Sequence, residues 1–167
     1  MKTALVYYSL EGNTKYIADC ISEVIHVDIL QLEPINPINK NSSTKYLWGG
    51  LQVFSKREPQ LKSYSFAPEN YDLIILGTPV WAWKYSPAIN TFINDIELAK
   101  KNIALYCCHG GGKGAVFRRF EEALNGNNII SKIDFRDPLK RSPEKSKERT
   151  IVWANELINI YHKILSC

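Results

Sequence analysis

The chain has 167 residues, of which 45% are hydrophobic and 23% charged, the proportions of an ordinary globular protein. We expect residues 1–167 to form one domain, because this length buries a core without disulfide staples. The formal net charge of +4 is small and the basic residues are scattered, so composition gives no sign of a nucleic-acid-binding protein.

Targeting signals and cysteine spacing indicate the cellular compartment and bear on membrane and metal binding. No stretch approaches the ~20 apolar residues that a membrane helix needs, and Met1 to Ser9 lacks a signal-peptide core and cleavage site. The cysteines, Cys20, Cys107, Cys108 and Cys167, show no paired or metal-binding spacing. We therefore expect a cytoplasmic protein with reduced thiols, no membrane span and no metal site.

Five short segments rich in β-branched and aromatic residues predict strands: Thr3–Tyr8, Val27–Leu32, Tyr71–Thr78, Ile103–Cys108 and Ile129–Phe135. The continuous apolar run from Leu73 to Leu76 is typical of a strand that is covered on both faces.

Apolar residues at helical spacing predict helices over Thr14–Ile25, from Pro87 to about Ile96, over Val116–Leu124 and over Pro143–Leu165. A shorter helix is predicted over Tyr46–Phe54, broken at Gly49 and Gly50. The spacing in the last helix predicts a buried side made of Trp153, Leu157, Ile158, Tyr161 and Ile164.

The alternation of strands and helices predicts an α/β fold with a parallel sheet and helices on both faces. In open sheets of this kind, ligands bind beyond the carboxyl ends of the strands, where the strand order reverses. We therefore expect the loops after strands one, three and four to meet at a ligand site.

The loop after strand one comprises Ser9, Leu10, Glu11, Gly12, Asn13 and Thr14. A helix start leaves backbone N–H groups free and carries partial positive charge, so it binds anions. The hydroxyls and the amide add donors, which favours a phosphate site; a plain helix cap is the alternative. The loop lacks the Gly-Lys-Ser/Thr ending of a Walker loop and the spacing of a dinucleotide fingerprint.

The loop after strand three comprises Thr78, Pro79, Val80, Trp81, Ala82 and Trp83. Two indoles at a sheet edge favour stacking on a flat aromatic ligand, the alternative being that they cover the core.

The loop after strand four comprises His109, Gly110, Gly111, Gly112, Lys113 and Gly114. Glycines at this density suit a backbone that lies flat against a ligand; a mobile linker or a second anion nest is the alternative.

Together these three loops resemble those of the flavodoxin family, and the resemblance covers the whole chain. The family's phosphate loop, Thr/Ser-x-Thr-Gly-x-Thr, is matched by Ser9, Gly12 and Thr14. The resemblance implies a three-layer sandwich with a five-stranded parallel sheet of order 2-1-3-4-5. It also implies non-covalently bound FMN, with its ring on Trp81 or Trp83 and bordered by the loop after strand four.

Three departures from the family pattern bear on function. Glu11 stands where a hydroxyl residue is usual, and a carboxylate cannot donate a hydrogen bond to phosphate. The sequence pI is near 8.8, whereas electron carriers of the family are typically acidic. Negative surroundings disfavour the anionic reduced flavin, so their loss would raise the reduction potential. The loop after strand four also lacks an aromatic residue to cover the other face of the ring; Tyr46, Trp48 or Trp83 are the candidates for that role, the first two in a lid formed by residues Tyr46 to Gly50.

The function implied is electron transfer between redox partner proteins by a monomer or homodimer. The alternative is an FMN-dependent NAD(P)H or quinone oxidoreductase. The net positive charge of the chain favours this alternative, because pyridine nucleotides are anionic. In the carrier, His109 or Lys113 would stabilise negative charge on the flavin, so Lys113→Ala should lower the reduction potential. A phospho-acceptor receiver domain would need an acidic pocket at the ends of the central strands, and this sequence has none there. An interaction domain that has lost its flavin is a further alternative.

Overall fold

The computed structural model describes residues 1–37 and 58–166. The predicted helix over Tyr46–Phe54, the lid segment from Tyr46 to Gly50 and Cys167 lie outside the described residues.

A single sheet of five strands forms the middle layer of the fold. Its strands are β1 (Thr3–Tyr7), β2 (Val27–Gln31), β3 (Leu73–Pro79), β4 (Asn102–His109) and β5 (Asn128–Arg136). Every neighbouring pair is parallel and the order is β2-β1-β3-β4-β5. The predicted fold class and strand order are confirmed, and each strand boundary lies within two residues of its predicted place.

The helices are α1 (Asn13–Ser22), α2 (Pro87–Asp95), α3 (Val116–Ala123), α4 (Pro138–Arg141) and α5 (Pro143–Leu165), with a 3-10 turn at Pro68–Asn70. The sequence did not predict α4 or the 3-10 turn, because neither is long enough to show a helical period. Helix α1 ends three residues before the predicted Ile25, in a turn whose N–H groups bond to the carbonyl oxygen of Ile21.

Two hydrophobic cores lie on opposite faces of the sheet. The side chain of Cys107 in β4 belongs to a core shared with Phe92 of α2, and that of Cys108 belongs to the other core, shared with Trp153 of α5. Successive residues of a strand face opposite ways. Helices therefore cover both faces, and the buried thiols of Cys20, Cys107 and Cys108 are unbridged.

The last turn of α5 corrects one sequence prediction. Trp153, Leu157 and Tyr161 are buried and Ile158 packs against the core, but Ile164 is 37% exposed. The neighbouring Leu165 is 68% exposed, so the helix has left the core by this point.

Strands β3 and β4 approach closely where Gly77 faces Tyr106. A Cβ on residue 77 would lie 2.0 Å from Cζ of Tyr106, so only glycine fits there. The Tyr106 hydroxyl donates a hydrogen bond of 3.1 Å to the carbonyl oxygen of Thr14. This buried contact ties β4 to the first turn of α1 beneath the loop after β1.

None of the described helices is both long enough and apolar enough to cross a membrane.

Candidate functional site

A cavity of about 440 Å³ lies at the carboxyl edge of the sheet. This is within the range of about 300–1,000 Å³ that is usual for small-molecule sites. The three predicted loops all contribute to its wall, together with one residue that follows β5. The lining residues are Ser9, Leu10, Glu11, Asn13, Thr14, Pro79, Val80, Trp81, Ala82, Trp83, Cys108, His109, Gly110 and Asp137.

The loop after β1 turns directly into helix α1 at one end of the cavity. Gly12 precedes the helix with φ +90°, a conformation that glycine adopts without strain. The Ser9 hydroxyl oxygen accepts a hydrogen bond of 3.2 Å from the Lys15 backbone N–H. The first-turn N–H groups of Asn13 and Thr14 have no partner within the helix, so they are available to an anion.

Side chains of this loop also anchor neighbouring elements. The Asn13 side-chain oxygen accepts a hydrogen bond of 3.1 Å from the Leu139 N–H in α4, which leaves its NH₂ group as a donor. The Thr14 hydroxyl contacts the Cys108 thiol, whose pKa is raised because the thiol is buried. Gly12 is not part of the cavity wall; a Cβ added there would lie 3.3 Å from Cδ1 of Leu139.

The loop after β3 makes a tight turn with unusual backbone angles. The N–H of Trp81 bonds to the carbonyl oxygen of Lys84 at 2.9 Å, and the reverse bond is also 2.9 Å. Between them, Ala82 has φ +45° and Trp83 has φ +62°. This left-handed conformation costs about 1–2 kcal/mol per non-glycine residue. Such strain is found mainly where the surrounding structure imposes it, often at functional sites.

The two indoles have different surroundings. Trp81 packs edge-on against Tyr8, with ring centroids 5.6 Å apart and an interplanar angle of 90°. Burial raises the pKa of Tyr8 to about 12, so its phenol is neutral at physiological pH. Trp83 is 68% exposed, although its indole lines the cavity. Covering the core therefore accounts for Trp81 better than for Trp83.

Thr78 holds this loop from beneath and is not part of the cavity wall. Its hydroxyl oxygen accepts a hydrogen bond of 2.9 Å from the Ser86 N–H, and the hydroxyl donates to the carbonyl oxygen of Pro79 at 2.9 Å. Pro79 and Val80, which follow, do line the cavity.

The glycine-rich loop contributes less of its length to the wall than the sequence predicts. His109 and Gly110 line the cavity, but Gly111, Gly112, Lys113 and Gly114 do not. Gly114, at φ +53°, instead lies against the indole of Trp83, where a Cβ on residue 114 would be 2.4 Å from Cδ1.

An ion-paired group joins the end of β4 to β5 beside the cavity. The Asp134 carboxylate bonds to Nε2 of His109 at 3.0 Å through one oxygen and to the Lys113 ammonium at 2.8 Å through the other. Burial raises the pKa of the Asp134 carboxyl, but the hydrogen bonds from Lys113 and His109 outweigh burial, so the net shift is downward. Asp134 is therefore charged at neutral pH.

Sequence reasoning missed two lining residues, Cys108 and Asp137. Cys108 is the strand residue before His109, and its sequence context indicates only a reduced thiol. Asp137 has φ +42° and its N–H donates to the carbonyl oxygen of His109 at 2.9 Å. The sequence could have predicted Asp137, because it follows β5, which ends at the same edge of the sheet as β4.

The arrangement suits a ligand with an anionic end and a flat aromatic end. Backbone and hydroxyl donors lie at the start of α1, and indoles lie in the loop after β3. Within residues 1–37 and 58–166, no group of three or more His, Cys, Asp or Glu residues could hold a metal ion.

Comparison with known proteins agrees with this architecture. The FMN complex of a flavoprotein from Lactobacillus acidophilus superposes with a TM-score of 0.71 at 22% identity, covering 86% of this chain and 99% of that one. Oxidised flavodoxin 2 from Bacillus cereus gives a TM-score of 0.58 at 21% identity, covering 98% and 99%. These likenesses show a shared fold. A comparison with curated proteins finds no match.

The family model described as flavodoxin matches residues 2–155, nearly the whole of this chain. The sheet order of β2-β1-β3-β4-β5 agrees with that match. The chain therefore belongs to the flavodoxin family.

Proposed function

We propose that this protein binds FMN non-covalently in the cavity at the carboxyl edge of its sheet and transfers electrons through it. The observation that carries the proposal is the meeting of a helix start, two indoles and His109-Gly110 around one cavity of about 440 Å³. The FMN complex of the structurally similar Lactobacillus acidophilus flavoprotein supports the choice of ligand.

The residues present fit the two ends of FMN. Ser9, Asn13 and Thr14 would hold the phosphate through the first turn of α1 and their polar side chains. Trp81 and Trp83 would pack against the isoalloxazine ring, whose apolar faces suit aromatic side chains. When bound, the flavin supplies the redox chemistry, and the protein supplies orientation and electrostatics.

Glu11 lines the cavity without offering a side-chain donor. An ionised carboxylate only accepts hydrogen bonds, so its side chain would point away from a bound phosphate. Its backbone N–H is then its one means of holding the anion.

The binding proposal is tested by titrating the purified protein with FMN and, separately, with riboflavin, which lacks the phosphate. Quenching of flavin and tryptophan fluorescence reports each affinity. We expect FMN to bind at least about tenfold more tightly, because a charge-assisted phosphate contact is worth about 1.5–3 kcal/mol. Failure of both ligands to bind would overturn the proposal, and equal affinities would place the phosphate away from α1.

Matched serine variants locate the phosphate end. Ser9→Ala should weaken FMN binding and leave riboflavin binding nearly unchanged. Ser22→Ala is the control, because Ser22 lies at the opposite end of α1 and its hydroxyl bonds to the Asp19 carbonyl oxygen.

A reductase acting on NAD(P)H or quinones is the second candidate function. The exposed indole of Trp83, the half-exposed Lys113 and the exposed Arg136 beside Gly110 would suit an anionic nucleotide at the cavity mouth. Stopped-flow mixing of the FMN-loaded protein with NADPH separates the candidates. Rapid bleaching of the bound flavin by NADPH alone indicates a reductase. A stable yellow colour indicates a carrier that is reduced by partner proteins.

A further inference from the structure

Three polar side chains lead from the cavity wall to the protein surface. The His109 side chain, in the wall, is 7% exposed. Asp134 beside it is 32% exposed and Lys113 is 52% exposed. One carboxylate oxygen of Asp134 bonds to His109 and the other to Lys113, so the row is continuous from the buried imidazole to solvent.

Asp134 fixes how the imidazole can carry protons. A charged carboxylate accepts a hydrogen bond from Nε2–H, which makes Nδ1 the nitrogen that is free to gain or lose a proton. Nδ1 is buried and has no hydrogen-bond partner within residues 1–37 and 58–166. Since protein atoms cover Nδ1, a ligand in the cavity would act on this imidazole through its charge and would need no direct contact.

Other charged groups packed around His109 are of both signs. Asp137 bonds to the His109 carbonyl oxygen through its N–H, and Glu11 shares the cavity wall. Arg136 donates to the Gly110 carbonyl oxygen, and Arg149 donates to the Asp134 carbonyl oxygen. Together with Asp134 and Lys113 these groups give three negative and three positive charges. Because the two signs balance, a new negative charge in the cavity would change the net charge around His109.

We propose that His109 takes up a proton from solvent when the ligand in the cavity gains negative charge, while Asp134 and Lys113 hold the imidazole in place. The inference rests on the proposed binding of FMN. A negative charge beside a buried imidazole favours the protonated form, because interactions between charges are strong where water is excluded. Imidazole is also the side chain that ordinarily changes charge near neutral pH.

An external reductant such as dithionite supplies two electrons, and one proton bound on the flavin ring leaves the cofactor with one additional negative charge. A second proton, taken from solvent during a transient opening of the atoms that cover Nδ1 of His109, binds that nitrogen and gives an imidazolium whose Nε2–H stays paired with Asp134. Near neutral pH, reduction then consumes two protons per electron pair. At pH values where His109 has the same protonation state in both redox forms, reduction consumes one proton per electron pair.

The test measures the reduction potential of the FMN-loaded protein against pH, from which the number of protons per electron pair follows. We expect wild type to take up one more proton per electron pair than His109→Gln around neutral pH. His26→Gln is the matched control, since His26 is exposed and precedes β2 at the amino edge of the sheet. It should behave as wild type. Equal proton uptake in wild type and His109→Gln overturns this inference and leaves FMN binding intact.

A second measurement does not use the redox reaction. Imidazole ¹⁵N NMR of the ligand-free protein should show Nε2 of His109 protonated and Nδ1 bare at high pH. Asp134→Asn should abolish that tautomer preference while FMN still binds. A bare Nε2 in wild type contradicts the arrangement even if His109→Gln fails to fold. Failure of wild-type protein to bind FMN would instead overturn the proposed function and this inference with it.

Discussion

The backbone of Gly114 lies directly against the indole of Trp83, so that a Cβ added at residue 114 would be 2.4 Å from Cδ1 and 2.6 Å from Cβ of the tryptophan. This contact joins two loops that the sequence singled out separately, one for its indoles and one for its glycines. It gives Trp83, which is otherwise 68% exposed, a fixed neighbour.

Gly114→Ala should displace Trp83 and weaken FMN binding about tenfold, because relieving such an overlap costs about 1–3 kcal/mol. Fluorescence titration with FMN checks this. Gly111→Ala is the matched control, since a Cβ there meets no atom within 4 Å. Gly126→Ala, at φ +89° with no neighbour within 4 Å, isolates backbone strain. An unchanged affinity in Gly114→Ala would remove Trp83 from the ligand site.

Ala82→Gly should stabilise the protein by about 1 kcal/mol, because Ala82 has φ +45° and glycine relieves left-handed strain. Urea unfolding followed by far-UV circular dichroism measures the change. Ala67→Gly is the control, since Ala67 has φ −116° and should lose up to about 1 kcal/mol through unfolded-state entropy. A destabilised Ala82→Gly would show that the turn is not strained.

Gly77→Ala should destabilise the fold by about 3 kcal/mol or more, because its Cβ would lie 2.0 Å from the Tyr106 ring. The double variant Gly77→Ala/Tyr106→Leu removes the overlap. It should be more stable than the sum of the single changes predicts, although Tyr106→Leu also loses the hydrogen bond to Thr14. Strictly additive free energies of unfolding would rule out the close contact.

The stability of the protein should fall in acid through Asp134. Its carboxyl pKa is lowered from the ordinary 3.8 by Lys113 and His109 against the effect of burial. The contribution is therefore present above about pH 4 and is lost as the pH falls through the lower folded-state pKa. Unfolding measured from pH 7 to pH 2 should show Asp134→Asn less stable than wild type at pH 7, with the difference vanishing in acid. A constant difference contradicts the ion pair.

Lys113→Ala should lower the reduction potential of the FMN-loaded protein, because it removes a positive charge near the cavity. The fall should be small, since the Lys113 ammonium is 52% exposed, neutralised by Asp134 and outside the cavity wall. A spectroscopic redox titration at pH 7 checks the sign. No change would confine Lys113 to holding Asp134.

Much of the fold follows from local sequence. The apolar run from Leu73 to Leu76 predicts a strand buried on both faces, and all four residues are fully buried. The sequence also predicts both ends of α5, from Pro143 in the first turn and from apolar spacing that reaches Leu165, although the buried side ends at Tyr161. Strand order was implied by the resemblance, since no local property of the chain specifies which strands become neighbours.

The loop sequences predicted the edge of the sheet at which the cavity lies, because parallel strands bring their following loops to one edge of the sheet. Sequence could not divide the roles of Trp81 and Trp83, which depend on Tyr8 and Gly114, residues far away along the chain. It also could not place Lys113, a loop residue whose partner Asp134 lies on β5. Composition and periodicity thus determined the elements and the edge where they meet. Contacts between distant residues decided which side chains face the cavity, because side-chain direction at a loop is set by packing and not by a repeating pattern.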